Sequence, residues 1–147
     1  MYLFKKIGLA SDHAGFERKE QVKKYLKDKG FEVTDFGTGD TERCDYPDYG
    51  HLLAESVEKG QCEVGIAVCG SGNGINMSVN HHKSIRGALC WCVEIAELAR
   101  GHNDANICSL PGRFISSGQA IDIVDKFLST PFDGGRHKVR TEKIPVC

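Results

Sequence analysis

Val64 to Met77 reads VGIAVCGSGNGINM. An unbroken apolar run stops at Cys69, three glycines then alternate with Ser71 and Asn73, and a helical pattern follows. A short, near-continuous apolar run predicts a parallel strand buried on both faces. The glycines then mean one of two things: a tight strand-to-helix turn over a buried thiol, or a backbone that comes very close to a ligand. In the second case a row of N–H groups at a helix start suits a developing oxyanion. The same positive end favours the thiolate of Cys69, which makes the sulfur a base or a nucleophile. Three familiar glycine loops do not fit. The dinucleotide fingerprint would need a glycine where Ile75 stands, and no lysine follows as in a Walker loop. A nucleophile elbow would need a glycine in place of Cys69.

Outward from this stretch, strand-like runs alternate with helical patterns. KIGLAS (Lys6–Ser11) leads to a helix from about Gly15 to Lys29, with Val22, Tyr25 and Leu26 on one face and Gly30 at its C-terminal cap. FEVTDFG is a second, less buried strand; a polar loop, Thr38–Tyr46, precedes a helix with Pro47 in its first turn that runs to about Lys59. CEVGIAVC is the third strand, and the helix after the glycine loop reaches about Asn80. IRGALCWC is the fourth, with Cys90 and Cys92 sharing a face, followed by a helix from about Val93 to Arg100. ANICSL is the fifth. Ser117 is expected to cap the last helix, where Ala120, Ile123, Val124 and Phe127 line one face. Five β-α units predict an α/β fold, a Rossmann-like three-layer αβα sandwich on a five-stranded parallel sheet with right-handed crossovers. One domain over 1–147 is expected, with a tail from about 131. Ligands of such folds lie beyond the C-terminal ends of the strands.

Composition narrows the partners. Hydrophobic and charged contents of 40% and 27% are ordinary, and a net charge of −1 argues against a broad nucleic-acid or membrane surface. Any anion site must be local. The seven cysteines, including Cys147, show no C-x-x-C or Cys/His zinc spacing, so no metal is expected. The start lacks a signal-peptide pattern and no apolar run approaches the roughly 20 residues of a spanning helix. A cytoplasmic protein with reduced thiols is the expectation.

Other candidates sit where the fold would place them. Asp12 and His13 follow the first strand, where they could hold an anion or a sugar hydroxyl, or serve only as helix cap and surface residue. His102 and Asn103 end the fourth helix: an acid–base group beside an amide, or a helix-dipole partner. Arg113 follows the fifth strand, and Arg136 and Arg140, four apart in the tail, share one side of any helical turn. Arginine forks suit phosphate, although a basic tail is also ordinary solvated surface. The residues alone fit proton abstraction beside a carbonyl, or acyl transfer from Cys69 as in a cysteine hydrolase.

SDHAGF, DYPDYG, CGSGNGINM, GHNDAN and GGRHKVR occur in that order across nearly the whole chain. Together they resemble the ribose-5-phosphate isomerase B family, which includes the galactose-6-phosphate isomerase subunits. The resemblance implies a cofactor-free aldose–ketose isomerase of the pentose phosphate pathway, working through an enediolate. It implies Cys69 as base, Ser71 assisting transfer between the oxygens, and the amides of Gly70, Gly72, Asn73 and Gly74 holding the charge. It further implies ring opening by His102 with help from Asp12. Tyr46 and Asn103 would bind hydroxyls, and His13, Arg113, Arg136 and Arg140 would clamp the phosphate. One branch of the family carries glutamate at the position of Ile75 and glycine at that of Cys69; this chain follows the cysteine branch. The resemblance also implies sites shared between two subunits, hence a homodimer or a tetramer built from it, with the tail near the partner. Rival readings are a hexose-6-phosphate isomerase, acting on allose or galactose phosphates, and a non-catalytic sugar-phosphate-binding protein.

Overall fold

A computed structural model describes residues 1–146; Cys147 lies outside them. In chain order the elements are β1 (Lys6–Ser11), α1 (Phe16–Asp28), β2 (Glu32–Asp35), α2 (Tyr46–Glu58), β3 (Val64–Cys69), α3 (Asn73–Val79), β4 (Gly87–Leu89), α4 (Val93–Asn103), β5 (Ile107–Pro111), α5 (Ser117–Ser129) and α6 (Arg136–Thr141). All strand pairs are parallel, in the order β2-β1-β3-β5-β4. This is the expected five-stranded α/β sandwich.

Strand alternation sorts the two faces. Val64, Ile66 and Val68 of β3 point to one side, where Val22 and Leu26 of α1, Ala96 and Ala99 of α4, and Ile123 and Phe127 of α5 bury them. Ala67 and Cys69 point to the other, against Leu53 and Ala54 of α2 and Ile75 and Val79 of α3. Cys69 thus belongs to the α2–α3 face. On that face the registered pair Gly8 and Gly65 leaves a gap in the sheet surface. A Cβ on either would lie 2.6–2.7 Å from Leu53 Cδ1, so the missing side chains let α2 sit close to the sheet.

Three expectations need correction. The fourth strand is only Gly87–Leu89; the Cys90 N–H still donates to Ser109 O at 2.9 Å, but Trp91 turns out to solvent and Cys92 becomes the N-cap of α4. Cys90 and Cys92 therefore share no strand face. Ser116, not Ser117, caps α5: its hydroxyl accepts the Gln119 N–H while the Gln119 side chain accepts the Ser116 N–H. The helix α4 continues to Asn103, so His102 and Asn103 lie in its last turn. The tail forms a short helix, α6, which carries Arg136 and Arg140 one turn apart.

A buried ion network fixes the root of the loop after β2. The fully buried Lys19 ammonium lies 2.6 Å from Asp35 and 3.3 Å from Glu20, and Lys23 also reaches Asp35 at 2.8 Å. Burial would push the Asp35 carboxyl up, but hydrogen bonds from Lys19, Lys23 and the Gly37 N–H hold it below the usual range. The stability this contributes is present above the ordinary aspartate pKa and is lost as pH falls through the lowered folded value. Asp35→Asn leaves the buried Lys19 ammonium with Glu20 as its one remaining carboxylate partner and is expected to cost about 2–3 kcal/mol, whereas Lys19→Met should be close to neutral. Chemical denaturation of both variants checks this; equal costs would show that the charge is not what matters.

Candidate active site

The chain ends of β1, β3 and β5 open into a cleft of about 460 Å³. Its lining comes from the segment after β1 (Asp12, His13, Ala14), the loop after β3 (Cys69, Gly70, Ser71, with Gly74 of α3), the turn after β5 (Arg113), and the approach to α2 (Arg43, Cys44, Asp45, Tyr46). The cleft lies beside β1 and β3, the strands from which the chain moves outward in opposite directions, where open α/β sheets bind ligands.

Backbone bonds fasten these segments together. Gly112 N–H donates to Cys69 O at 2.9 Å and Arg113 N–H to Gly70 O at 3.0 Å, which holds Arg113 over the glycine loop. Asp12 N–H donates to Val68 O, and the buried Asp12 carboxylate accepts the Gly15 N–H at 3.0 Å. Asp12 thus shapes the entry to α1 and also borders the cleft. His13 Nδ1 accepts the Cys44 N–H at 3.2 Å. That bond needs a lone pair on Nδ1, so in the neutral imidazole the proton sits on Nε2, a donor suited to an anion or a hydroxyl.

Cys69 is a free thiol at the mouth of β3, 4% exposed yet part of the cleft wall. Gly72 takes the left-handed conformation (φ 77°) that starts α3. The exposed Ser71 hydroxyl accepts the Asn73 N–H at 3.3 Å. In this arrangement the Asn73 amide is turned to Ser71, and Gly72 and Asn73 do not line the cleft. Tyr46, the first residue of α2, lies across Gly74 so tightly that a Cβ there would come within 2.4 Å of its ring.

His102, Asn103, Arg136 and Arg140 are not brought into this cleft by their own chain. They form a second group on α4 and α6. The His102 ring stacks on His137, centroids 4.1 Å apart and 10° from parallel, and His102 Nε2 lies 3.9 Å from an Asp133 carboxylate oxygen. Asp133 is tethered by its N–H to Gly101 O at 2.9 Å. Loss of water, then the positive charges of His102, Arg136 and Arg140, hold the His137 imidazole below its usual pKa. His102, Asp133 and His137 bring their ligand atoms within 4.8 Å of one another, close enough to consider a metal. The stacking argues against it: ring nitrogens bind metal in the ring plane, and two parallel planes cannot both contain one ion.

Sequence reasoning missed Arg43, Cys44 and Asp45 in the cleft, and Asp133 and His137 beside His102. Only the polar character of Thr38–Tyr46 was legible; that this irregular stretch folds back onto His13 is tertiary information.

Fold and site together define a parallel α/β protein with a thiol, a hydroxyl, a tyrosine and cationic forks around a cleft sized for a small anion-bearing molecule. The chain matches the sequence model of the Ribose/Galactose Isomerase family over residues 7–144 and belongs to that family. It is similar to the ribose 5-phosphate isomerase of Thermotoga maritima, with 51% identity, 98% and 99% of the two chains covered, and a TM-score of 0.95. It is similar to the ribose-5-phosphate isomerase B of Mycoplasma genitalium, solved with ribulose 5-phosphate bound (40% identity, 98% and 95% covered, TM-score 0.91). The Escherichia coli ribose-5-phosphate isomerase B is 39% identical over 140 residues, 95% of this chain and 94% of that one. Among the described residues no helix is long and apolar enough to cross a membrane.

The contact of Tyr46 with Gly74 is directly testable. Gly74→Ala is expected to destabilise by about 1–3 kcal/mol because the ring must move. In a Tyr46→Ala background the same change should be neutral or stabilising, since alanine is the better helix former. Equal costs in both backgrounds would show that the ring does not rest on Gly74.

Proposed function

We propose that this chain is an aldose–ketose isomerase that interconverts ribose 5-phosphate and ribulose 5-phosphate through an enediolate, with Cys69 as the base. The observation that carries this reading is the position of the Cys69 thiol. It ends a buried strand and opens onto a cleft shared with His13, Tyr46, Ser71 and Arg113. The proton on C2 of the open-chain aldose is acidified by the C1 carbonyl, so a thiolate held beside C2 removes it. The electron pair passes to O1, and the resulting enediolate is reprotonated at C1 to give the ketose. Amide N–H groups of Gly70 to Gly74 hold the developing charge. The Asn73 amide must leave Ser71 to take part, which frees the Ser71 hydroxyl to pass a proton between O1 and O2. Support for this substrate comes from the relatives, one of which was solved with ribulose 5-phosphate.

A single chain splits the expected machinery into two groups. The cleft holds the thiol, Asp12, His13, Tyr46 and Arg113, whereas His102, Asn103, Arg136 and Arg140 stand on α4 and α6. We infer a homodimer in which each cleft is completed by His102 and Asn103 of a partner subunit for ring opening and hydroxyl binding. Arg136 and Arg140 of that subunit would close on the phosphate. The tail from about 131 then packs near the partner, and its basic charge is met inside a shared pocket.

Cys69→Ala is expected to lower turnover of ribose 5-phosphate about 10²- to 10⁴-fold while inhibition by inorganic phosphate is kept; near-full activity would remove the thiol from the mechanism. For the shared site, Cys69→Ala and Arg136→Ala chains are refolded together. Random pairing makes half the dimers mixed, each with one intact site of two, so activity should return to about a quarter of the parent level. No recovery in verified mixed dimers would mean that each chain builds its own site.

A further inference from the structure

The seven arginines divide by what their guanidinium groups touch. Arg18 donates to Ile115 O at 2.9 Å and to Gln21 at 3.0 Å. Arg86 donates to the carbonyls of Asn103 and Asp104, and Arg100 to those of Thr130 and Ala105. Both also pair with the Asp104 carboxylate. These three are consumed by the fold. Arg43, Arg113, Arg136 and Arg140 find no acceptor among the described residues. The proposed function assigns Arg136 and Arg140 to the substrate phosphate and places Arg113 in the cleft, where the family resemblance gives it the same role; the fourth has had no role.

We propose that Arg43 is a further substrate-binding residue, a fork for the phosphate dianion supplied from the loop before α2. An unpaired surface arginine is ordinary by itself, and position is what separates this one. It lines the same cleft as His13 and Arg113. Its two neighbours in sequence are both tied down: the Glu42 N–H donates to the Asp40 carboxylate at 2.9 Å, and the Cys44 N–H to His13 Nδ1 at 3.2 Å. The loop therefore presents Arg43 from a fixed stretch of backbone. The charges nearest in sequence, Asp40, Glu42 and Asp45, could each have captured the guanidinium, yet none pairs with it. A permanently charged, planar group left open at the rim of the cleft, on the same wall as Arg113, matches a phosphomonoester, which offers two oxygens to one fork.

This inference rests on the sugar-phosphate reading, and its test keeps the two apart. Arg43→Ala and Arg43→Lys are compared with the parent by steady-state kinetics with ribose 5-phosphate, by calorimetric binding of inorganic phosphate, and by thermal melting. A contact made equally in ground and transition states moves KM and leaves kcat. Arg43→Ala is expected to raise KM and the phosphate dissociation constant together by about tenfold to a hundredfold, with an unshifted melting temperature. Arg43→Lys, which keeps the charge without the fork, should fall between. Unchanged KM and unchanged phosphate binding overturn the proposal and leave the isomerase reading standing. A joint fall of kcat and melting temperature at constant KM also overturns it, since that is a structural effect. If the parent protein turned over no sugar phosphate but phosphate binding still weakened in Arg43→Ala, the proposal would stand and the isomerase reading would fall.

Discussion

Leu53 rests on a part of the sheet that has no side chains to meet it. Gly8 and Gly65 are register partners on adjacent strands, and the Leu53 side chain occupies the space that their Cβ atoms would fill. The close approach of α2 that follows decides much of the site. Its first turn carries Tyr46 to the carboxyl end of the sheet, and the same helix lays Gly50 against Ile75 of α3. Two helices thus lock at short range on the face toward which Cys69 points. A bulky residue at Gly8 or Gly65 would lift α2 and carry Tyr46 away from the glycine loop, with no change to any residue of the cleft itself.

Electrostatics follow a second division, between charges that the fold neutralises and charges it leaves open. Lys19, Lys23, Arg86 and Arg100 are matched by Asp35, Glu20 and Asp104 within the chain. The guanidinium groups of the cleft and of α6 are not matched. A chain of net charge −1 therefore holds unpaired guanidinium groups at particular places without a basic surface overall. The His102–His137 stack fits the same economy. Two imidazoles 4.1 Å apart beside Arg136 and Arg140 repel a second proton, which keeps His137 in its neutral form more readily than an isolated histidine. The His102 ring of this stack has an Asp133 carboxylate oxygen 3.9 Å from its Nε2.

The strands were legible because a strand buried on both faces has a composition that little else shares; VGIAVC is buried at every position. IRGALCWC misled because apolar content continues past the last paired residue at a sheet edge, where Trp91 faces solvent. The cap of α5 was misplaced by one residue among adjacent serines, although Gln119 three positions after Ser116 held the answer. At the site, residues that directly follow a strand could be placed from the fold rule alone, which covers Asp12, His13, Cys69, Ser71 and Arg113. Arg43, Cys44 and Asp45 could not, because an irregular loop carries no periodicity and its direction is set by a bond to His13. His137 escaped for a related reason: its pairing with His102 joins two helices far apart in sequence.

That loop shows how a cleft built from irregular backbone keeps its shape. At its root, Ser11 N–H donates to Gly37 O at 2.7 Å and Thr38 N–H to Ser11 O at 2.8 Å, so the loop begins as an extension of the sheet edge beside Asp12. Asp35 accepts the Gly37 N–H with one oxygen and the Lys19 ammonium with the other. At its far end the Cys44 N–H is spent on His13, and α2 takes over at Tyr46. The buried lysine, costly to desolvate, thereby braces the loop that brings Arg43 and Tyr46 to the wall of the cleft. Lys19 is not part of either hydrophobic cluster, so replacing its charge by an apolar side chain is expected to act first on this root, and through it on the shape of the cleft.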